Sequence, residues 1–176
     1  MKIAENLAQR GFYDTLMLIR NPVPADNIDI GFLPGDFHSK VGSYFKSMTQ
    51  YLTDYSNGYD DSFDPDNEFA AKQRGYELKM EIPSFMKGMS ALRTMMIVDE
   101  CEDLNVKLVK MLGTRVGKGS SIVFTGDYKQ SEKAYKVDSG MNKMIEEFKG
   151  NPLVGIIVLD EDVRSSVSKI FANLDE

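Results

Sequence analysis

The run MMIVDEC at residues 95–101 sets four apolar residues ahead of two acidic ones, Asp99 and Glu100. Such a run buries as a strand and delivers Asp99 to the strand's end. There it could hold the Mg²⁺ of a nucleotide, directly or through water, in the arrangement called Walker B. Glu100, one residue on, is placed to orient or deprotonate an attacking water. A second polar cluster, TGDYKQ at residues 125–130, brings Gly126, Asp127 and Gln130 to the end of another apolar run. A glutamine bonds both water and phosphate oxygens, so this cluster beside a terminal phosphate can sense hydrolysis. Each motif has a plainer reading as well: buried strands often end in an acid where a loop begins, and Gly126 with Asp127 can form an ordinary turn. Two such ends, 28 residues apart with a helical stretch between them, favour the catalytic reading.

Other chemistries find less support. A phosphate-binding loop of the form GxxxxGK followed by Ser or Thr does not occur in the sequence. The nearest match, GTRVGKG at residues 113–119, has three residues between its glycines and a strand after it instead of before, and reads as a basic helix-ending loop. One cysteine, Cys101, and one histidine, His38, make neither a disulfide nor a zinc set, and Cys101 has no histidine near it in sequence to act as its base. Asp60, Ser62, Asp64 and Asp66 are spaced like a calcium loop, but Pro65 stands at the turn glycine and Ala71 at the twelfth position, which needs Glu. The methionines, Met86, Met89, Met95 and Met96 among them, read as core filling.

The elements that must carry these residues follow from periodicity. Residues 1–10 have Ile3, Leu7 and Ala8 at helical spacing, stopped by Gly11. Asp14 to Arg20 is a continuous apolar run that suits a strand covered on both sides. A proline- and glycine-rich loop occupies 21–35, and Asp36 caps an expected helix to about Leu52 with Val41, Tyr44, Phe45, Met48 and Leu52 as its apolar stripe. Residues 54–75 form an acidic excursion, and YELKMEI from Tyr76 alternates as an edge strand does. Three strong runs follow, 94–100, 121–127 and 155–160, each ending in an acid, with helices expected at 104–112, 139–149 and 164–174. Alternating buried strands and helices give an α/β fold: a mostly parallel sheet with helices on both faces, in which ligands sit outside the carboxyl ends of the strands. The three acidic ends are expected to converge on that edge.

At 176 residues, with 42% hydrophobic and 27% charged residues, the chain suits a single domain. It contains no stretch near the roughly 18 apolar residues of a membrane span and no signal-like start, so a cytoplasmic protein without membrane partners is expected. The net charge of -6 argues against wholesale nucleic-acid binding, but it is unevenly spread. Asp54 to Glu68 holds six acids and no base, whereas Leu104 to Lys149 holds nine Lys or Arg against five acids, which leaves room for a phosphate-bearing partner such as RNA.

GFLPGD at 31–36, MMIVDEC, GTRVGKGSSIVFTGDYKQ at 113–130 and LDEDVRSSV at 159–167 stand in the order and spacing of PhoH-like ATPases, and the resemblance runs from about Asp14 to Leu174. It implies a RecA-like P-loop NTPase core, related to the motor domains of superfamily 1 helicases, that uses ATP and Mg²⁺ and acts on RNA. Carried over, Asp99 and Glu100 resemble the Walker B pair, and Asp127 with Gln130 the sensor. Arg20, Arg115 and Arg164 match basic positions of the family, with Arg164 the first choice for an arginine finger across a subunit contact; a surface ion pair is the plain alternative for each. The chain departs from the family pattern at Cys101 and Glu102, where Ala and Gln are usual, and the added charge is expected to lower ATP affinity. Residues 1–10 resemble the end of the helix behind the P-loop. The expectation is therefore a core incomplete at its N-terminus, inactive alone, completed by a separate N-terminal half or within a homo-oligomer. The alternatives are a non-catalytic module that binds RNA or a partner through Lys107 to Lys143, and a purely structural partner.

Overall fold

Apolar runs without a helical face become strands here because each can be covered on both sides. The computed structural model of the chain describes residues 1–21, 45–52, 74–127, 139–160 and 165. In chain order these form α1 (Lys2–Gln9), β1 (Thr15–Arg20), β2 (Glu77–Glu81), β3 (Thr94–Asp99), α2 (Val106–Gly113), β4 (Ser121–Phe124) and α3 (Gly140–Phe148). Short 3-10 turns lie at Pro83–Phe85 and Cys101–Asp103, and residues 45–49 are helical.

The four strands form one parallel sheet in the order β2-β1-β3-β4. The two central strands bury five of their six residues each, as continuous apolar runs do when both faces are covered. Side-chain alternation splits them between two cores. Leu16 and Leu18 face one side with Ala4 and Ala8 of α1 and with Phe45, Met48 and Leu52. Met17, Ile19, Met96 and Val98 face the other, against Val109 and Leu112 of α2 and Met141 of α3. Among the described residues the strand at Glu77–Glu81 closes one end of the sheet, as its alternating pattern predicts.

Local chemistry sets the helix ends. Gly11, at φ +78°, turns the chain after α1. The Asn105 side chain caps α2 by accepting from the Leu108 amide at 2.9 Å, and Ser139 caps α3 by accepting from the Asn142 amide at 3.3 Å. The Gly140 amide donates to the Leu104 carbonyl at 2.8 Å, which holds the starts of α2 and α3 together.

One expected strand is absent. Residues 155–160 are described but belong to no strand, and Ile157 and Leu159 are 86% and 89% exposed. The run's apolar composition signals burial, but a strand exists only by pairing, and among the described residues the sheet ends at β4. Asp160 is therefore not the end of a strand in the sheet. The GFLPGD segment, His38, residues 54–68 and the helix expected at 164–174 lie outside the described residues, apart from Ser165.

Candidate functional site

The carboxyl ends of β1, β3 and β4 lie side by side. Arg20 ends β1 in register with Asp99, which ends β3, and Val98 pairs with Phe124 at the end of β4. Thr125 follows β4, and its hydroxyl lies 2.9 Å from Asp99 Oδ1 and 3.3 Å from the Val98 carbonyl. Its one proton goes to the charged acceptor, the shorter of the two contacts.

Glu100 leaves the strand in the left-handed region, at φ 51° and ψ 48°. A non-glycine residue there carries roughly 1–2 kcal/mol of strain and persists where its surroundings fix it. The turn sends the Glu100 side chain across to the neighbouring strand, where Arg20 meets it with two donors. Nε lies 3.1 Å from Glu100 Oε2, and Nη2 bonds Oε1 of the same carboxylate. Nη1 donates to Ser47 Oγ at 2.5 Å and lies 3.8 Å from Asp99 Oδ2. Arg20 thus touches both acids of the MMIVDEC motif.

The next residues turn inward. Cys101 is buried, and desolvation first, then the Glu102 charge, pushes its thiol up to about 12. A thiol so held stays protonated at neutral pH, which removes it as a nucleophile. Glu102 is 6% exposed. Burial raises the pKa of its carboxyl above the ordinary range, while hydrogen bonds from its own amide and that of Asp127 oppose the rise. The extra acid of this chain is therefore turned into the body of the protein, against the loop after β4. Gly126 sits on the same carboxylate: a Cβ there would collide with Glu102 Oε2 and lie 2.9 Å from Cys101 Sγ. Gly126 thus permits close approach of this loop to Glu102, which goes beyond the ordinary turn expected of it.

A cavity of about 280 Å³ opens beside these residues, lined by Met1, Ser47, Tyr51, Ile97, Asp99 and Thr125 among others. Met1, the residue before α1, is among the lining residues, so this end of the helix borders the cavity. Among the described residues no three of His, Cys, Asp and Glu are grouped to hold a metal by themselves. Asp99 and Thr125 instead offer a carboxylate and a hydroxyl, hard oxygen donors of the kind that share Mg²⁺ with phosphates and water.

Of the residues singled out by sequence, the structure brings together Arg20, Asp99 and Glu100, with Gly126 and Asp127 in the adjoining loop. Arg115 is elsewhere. It follows α2, donates to the Met89 carbonyl at 3.3 Å, and its own carbonyl accepts from the Ala91 amide, three residues ahead of β3. That is the amino edge of the sheet, and six strand residues, about 20 Å, separate it from Asp99. Arg115 therefore does not belong to this site. Gln130 and Arg164 lie outside the described residues. Sequence reasoning missed Thr125 and Ser47; a hydroxyl in the first position of TGD was the available signal for Thr125, and Ser47 had none.

Comparison with known proteins gives the family. A family profile described as PhoH-like protein matches residues 1–174. Protein PhoH2 of Bacillus subtilis is 31% identical over 167 residues, covering 93% of this chain and 36% of that protein. Protein PhoH of Escherichia coli K12 is 27% identical over 175 residues, covering 94% and 45% respectively, and a PhoH-like protein of Bacillus subtilis is 28% identical over 158 residues, covering 90% and 47%. The chain thus spans less than half the length of these relatives. With its parallel α/β sheet and a profile match over nearly its whole length, the chain belongs to the PhoH-like family, whose members are of the P-loop NTPase type.

Proposed function

We propose that this chain carries the magnesium and water side of an ATP-hydrolysing site, and that its full activity needs a phosphate-binding loop supplied from outside residues 1–176. The observation that supports this best is the meeting of Asp99, Glu100 and Thr125 at the carboxyl edge of the sheet, beside a cavity bordered by the start of α1. In this reading Asp99 would hold Mg²⁺, with Thr125 fixing its carboxylate. Magnesium, when bound, neutralises the charge that develops on the phosphates as they separate. Glu100 orients the attacking water or takes its proton. Asp127 and Gln130 sense the terminal phosphate, and Arg164 acts across a subunit contact. Without a Walker A lysine and its surrounding amides, most of the transition-state charge stabilisation is lost, so the isolated chain turns over slowly or not at all.

RNA is the proposed partner, in a cytoplasmic setting. Lys107, Lys110, Lys118 and Lys143 are exposed on and around α2 and α3, which supports a phosphate-facing surface in that segment. The same lysines favour the second reading, a non-catalytic module that holds RNA.

Calorimetric titration with Mg·ATP tests the first reading, using the native chain, Asp99→Asn and Asp127→Asn. Binding weakened about tenfold or more by Asp99→Asn supports it. Salt-sensitive RNA binding with no response to nucleotide decides for the second.

A further inference from the structure

Arg20 and Glu100 meet in a geometry that serves two different partners equally well. A guanidinium presents parallel N–H donors that match either a carboxylate or a phosphate. In the structure the fork closes on Glu100, through Nε at 3.1 Å and through Nη2. Both Glu100 oxygens are thereby engaged by Arg20, which restricts the approach of a water to them. The third nitrogen, Nη1, donates to Ser47, which also lines the cavity beside Asp99. The guanidinium is therefore separated from that cavity by one small side chain. Glu100 reaches this position through its left-handed backbone, so its side chain is directed at Arg20 by an unfavourable conformation. Glu100 is also the more exposed of the two partners, at 42% against 18% for the side chains, and has room to move away.

We propose that Arg20 is a phosphate-responsive positioning residue: it holds Glu100 while the cavity contains no nucleotide, and transfers to a nucleotide phosphate when one enters, which frees Glu100 for water. This rests on the reading of the Asp99 cavity as a Mg·nucleotide site. A residue that merely ties the ends of β1 and β3 together would keep its partner in both states. A transferring residue links two events reciprocally: whatever releases Arg20 from Glu100 favours nucleotide, and nucleotide favours release.

Arg20→Gln, Glu100→Gln, the double variant and Arg20→Lys test this in the full 176-residue chain. Mg·ATP affinity is measured by calorimetry and pair coupling by a double-mutant cycle on chemical denaturation, with and without saturating Mg·ATP. Glu100→Gln, which removes the charge competing for Arg20, is expected to tighten Mg·ATP about fivefold or more, and Arg20→Gln to weaken it by a similar factor. Arg20→Lys, which keeps the charge but not the fork, is expected to recover less than half of that loss. The Arg20–Glu100 coupling should be present without nucleotide and fall by more than half with it. Coupling unchanged by bound nucleotide, or a Glu100→Gln affinity equal to that of the native chain, overturns the transfer while the nucleotide site stands. Failure of the native chain and every folded variant to bind millimolar Mg·ATP overturns both this and the nucleotide reading.

Discussion

Thr125 donates its hydroxyl proton to Asp99 across 2.9 Å, so the ends of β3 and β4 are joined through the carboxylate itself as well as through the backbone. Strand pairing aligns the two ends to within a residue; this hydrogen bond fixes the rotamer of the side chain that matters.

Replacing Thr125 by Val keeps the shape and removes the donor. Because the site is exposed, the expected cost in stability is small, below about 1 kcal/mol. Mg·ATP affinity should fall severalfold, since a freely rotating Asp99 must be ordered on binding, and Thr125→Ser should restore most of it. Calorimetry on the three proteins checks this, and equal affinities for all three would rule out Thr125 as an organiser of Asp99.

Gly126 and Gly140 are both closed to a side chain, for different reasons. A Cβ on Gly126 meets the Glu102 carboxylate, the far end of a side chain that can shift, whereas a Cβ on Gly140 meets Val109 and lies 2.8 Å from the Leu104 and Asn105 carbonyls. Gly126→Ala should cost about 1–2 kcal/mol and Gly140→Ala about 3 kcal/mol, in that order, by urea denaturation. The reverse order would show that the starts of α2 and α3 separate easily.

Glu102 sets a pH dependence. Its carboxyl holds its proton to higher pH in the folded chain than in the unfolded one. The stability it contributes is therefore fully present below the usual glutamate value, near about pH 4.3, and is lost as pH rises through the folded value. Glu102→Gln keeps the shape without the charge. The variant should match the native chain below about pH 4 and exceed it at pH 7.5 by about 1 kcal/mol, the scale of a partly compensated buried carboxylate. A variant less stable at pH 7.5 would mean that the ionised carboxylate is stabilising where it lies.

Leu18, fully buried on β1 among residues of α1 and β2, tests the core. Leu18→Ala should cost about 2–5 kcal/mol. A loss below about 1 kcal/mol would indicate that this face is loosely packed.

The sequence was most legible where one signal sufficed. Continuous apolar runs identified β1 and β3, alternation identified β2 as an edge, and Asn105 and Ser139 stand at the starts of α2 and α3 as capping residues do. The acidic pair at the end of β3 could be read because a strand fixes which residue reaches its end. Its partners could not. Arg20, on a different strand, meets Glu100 only because Glu100 adopts a left-handed conformation that an acidic side chain does not announce. Glu102 read as a surface charge beside phosphates because burial of a carboxylate depends on amides arriving from the Asp127 loop. Arg115 matched a family pattern, but its place at the amino edge follows from the return of the chain after α2. Residues 155–160 show the opposite limit: composition states what a segment would bury, and not whether a neighbour is there to cover it.

That last segment also governs how the molecule behaves in bulk. Leu153, Ile157, Val158 and Leu159 are each at least 79% exposed, so every molecule presents a ribbon of greasy side chains to the next. At neutral pH the net charge of -6 keeps molecules apart. Near the isoelectric point of about 4.9 that repulsion vanishes, and concentrated solutions should cloud there first. The ceiling on solubility is thus set by a segment that takes no part in the chemistry.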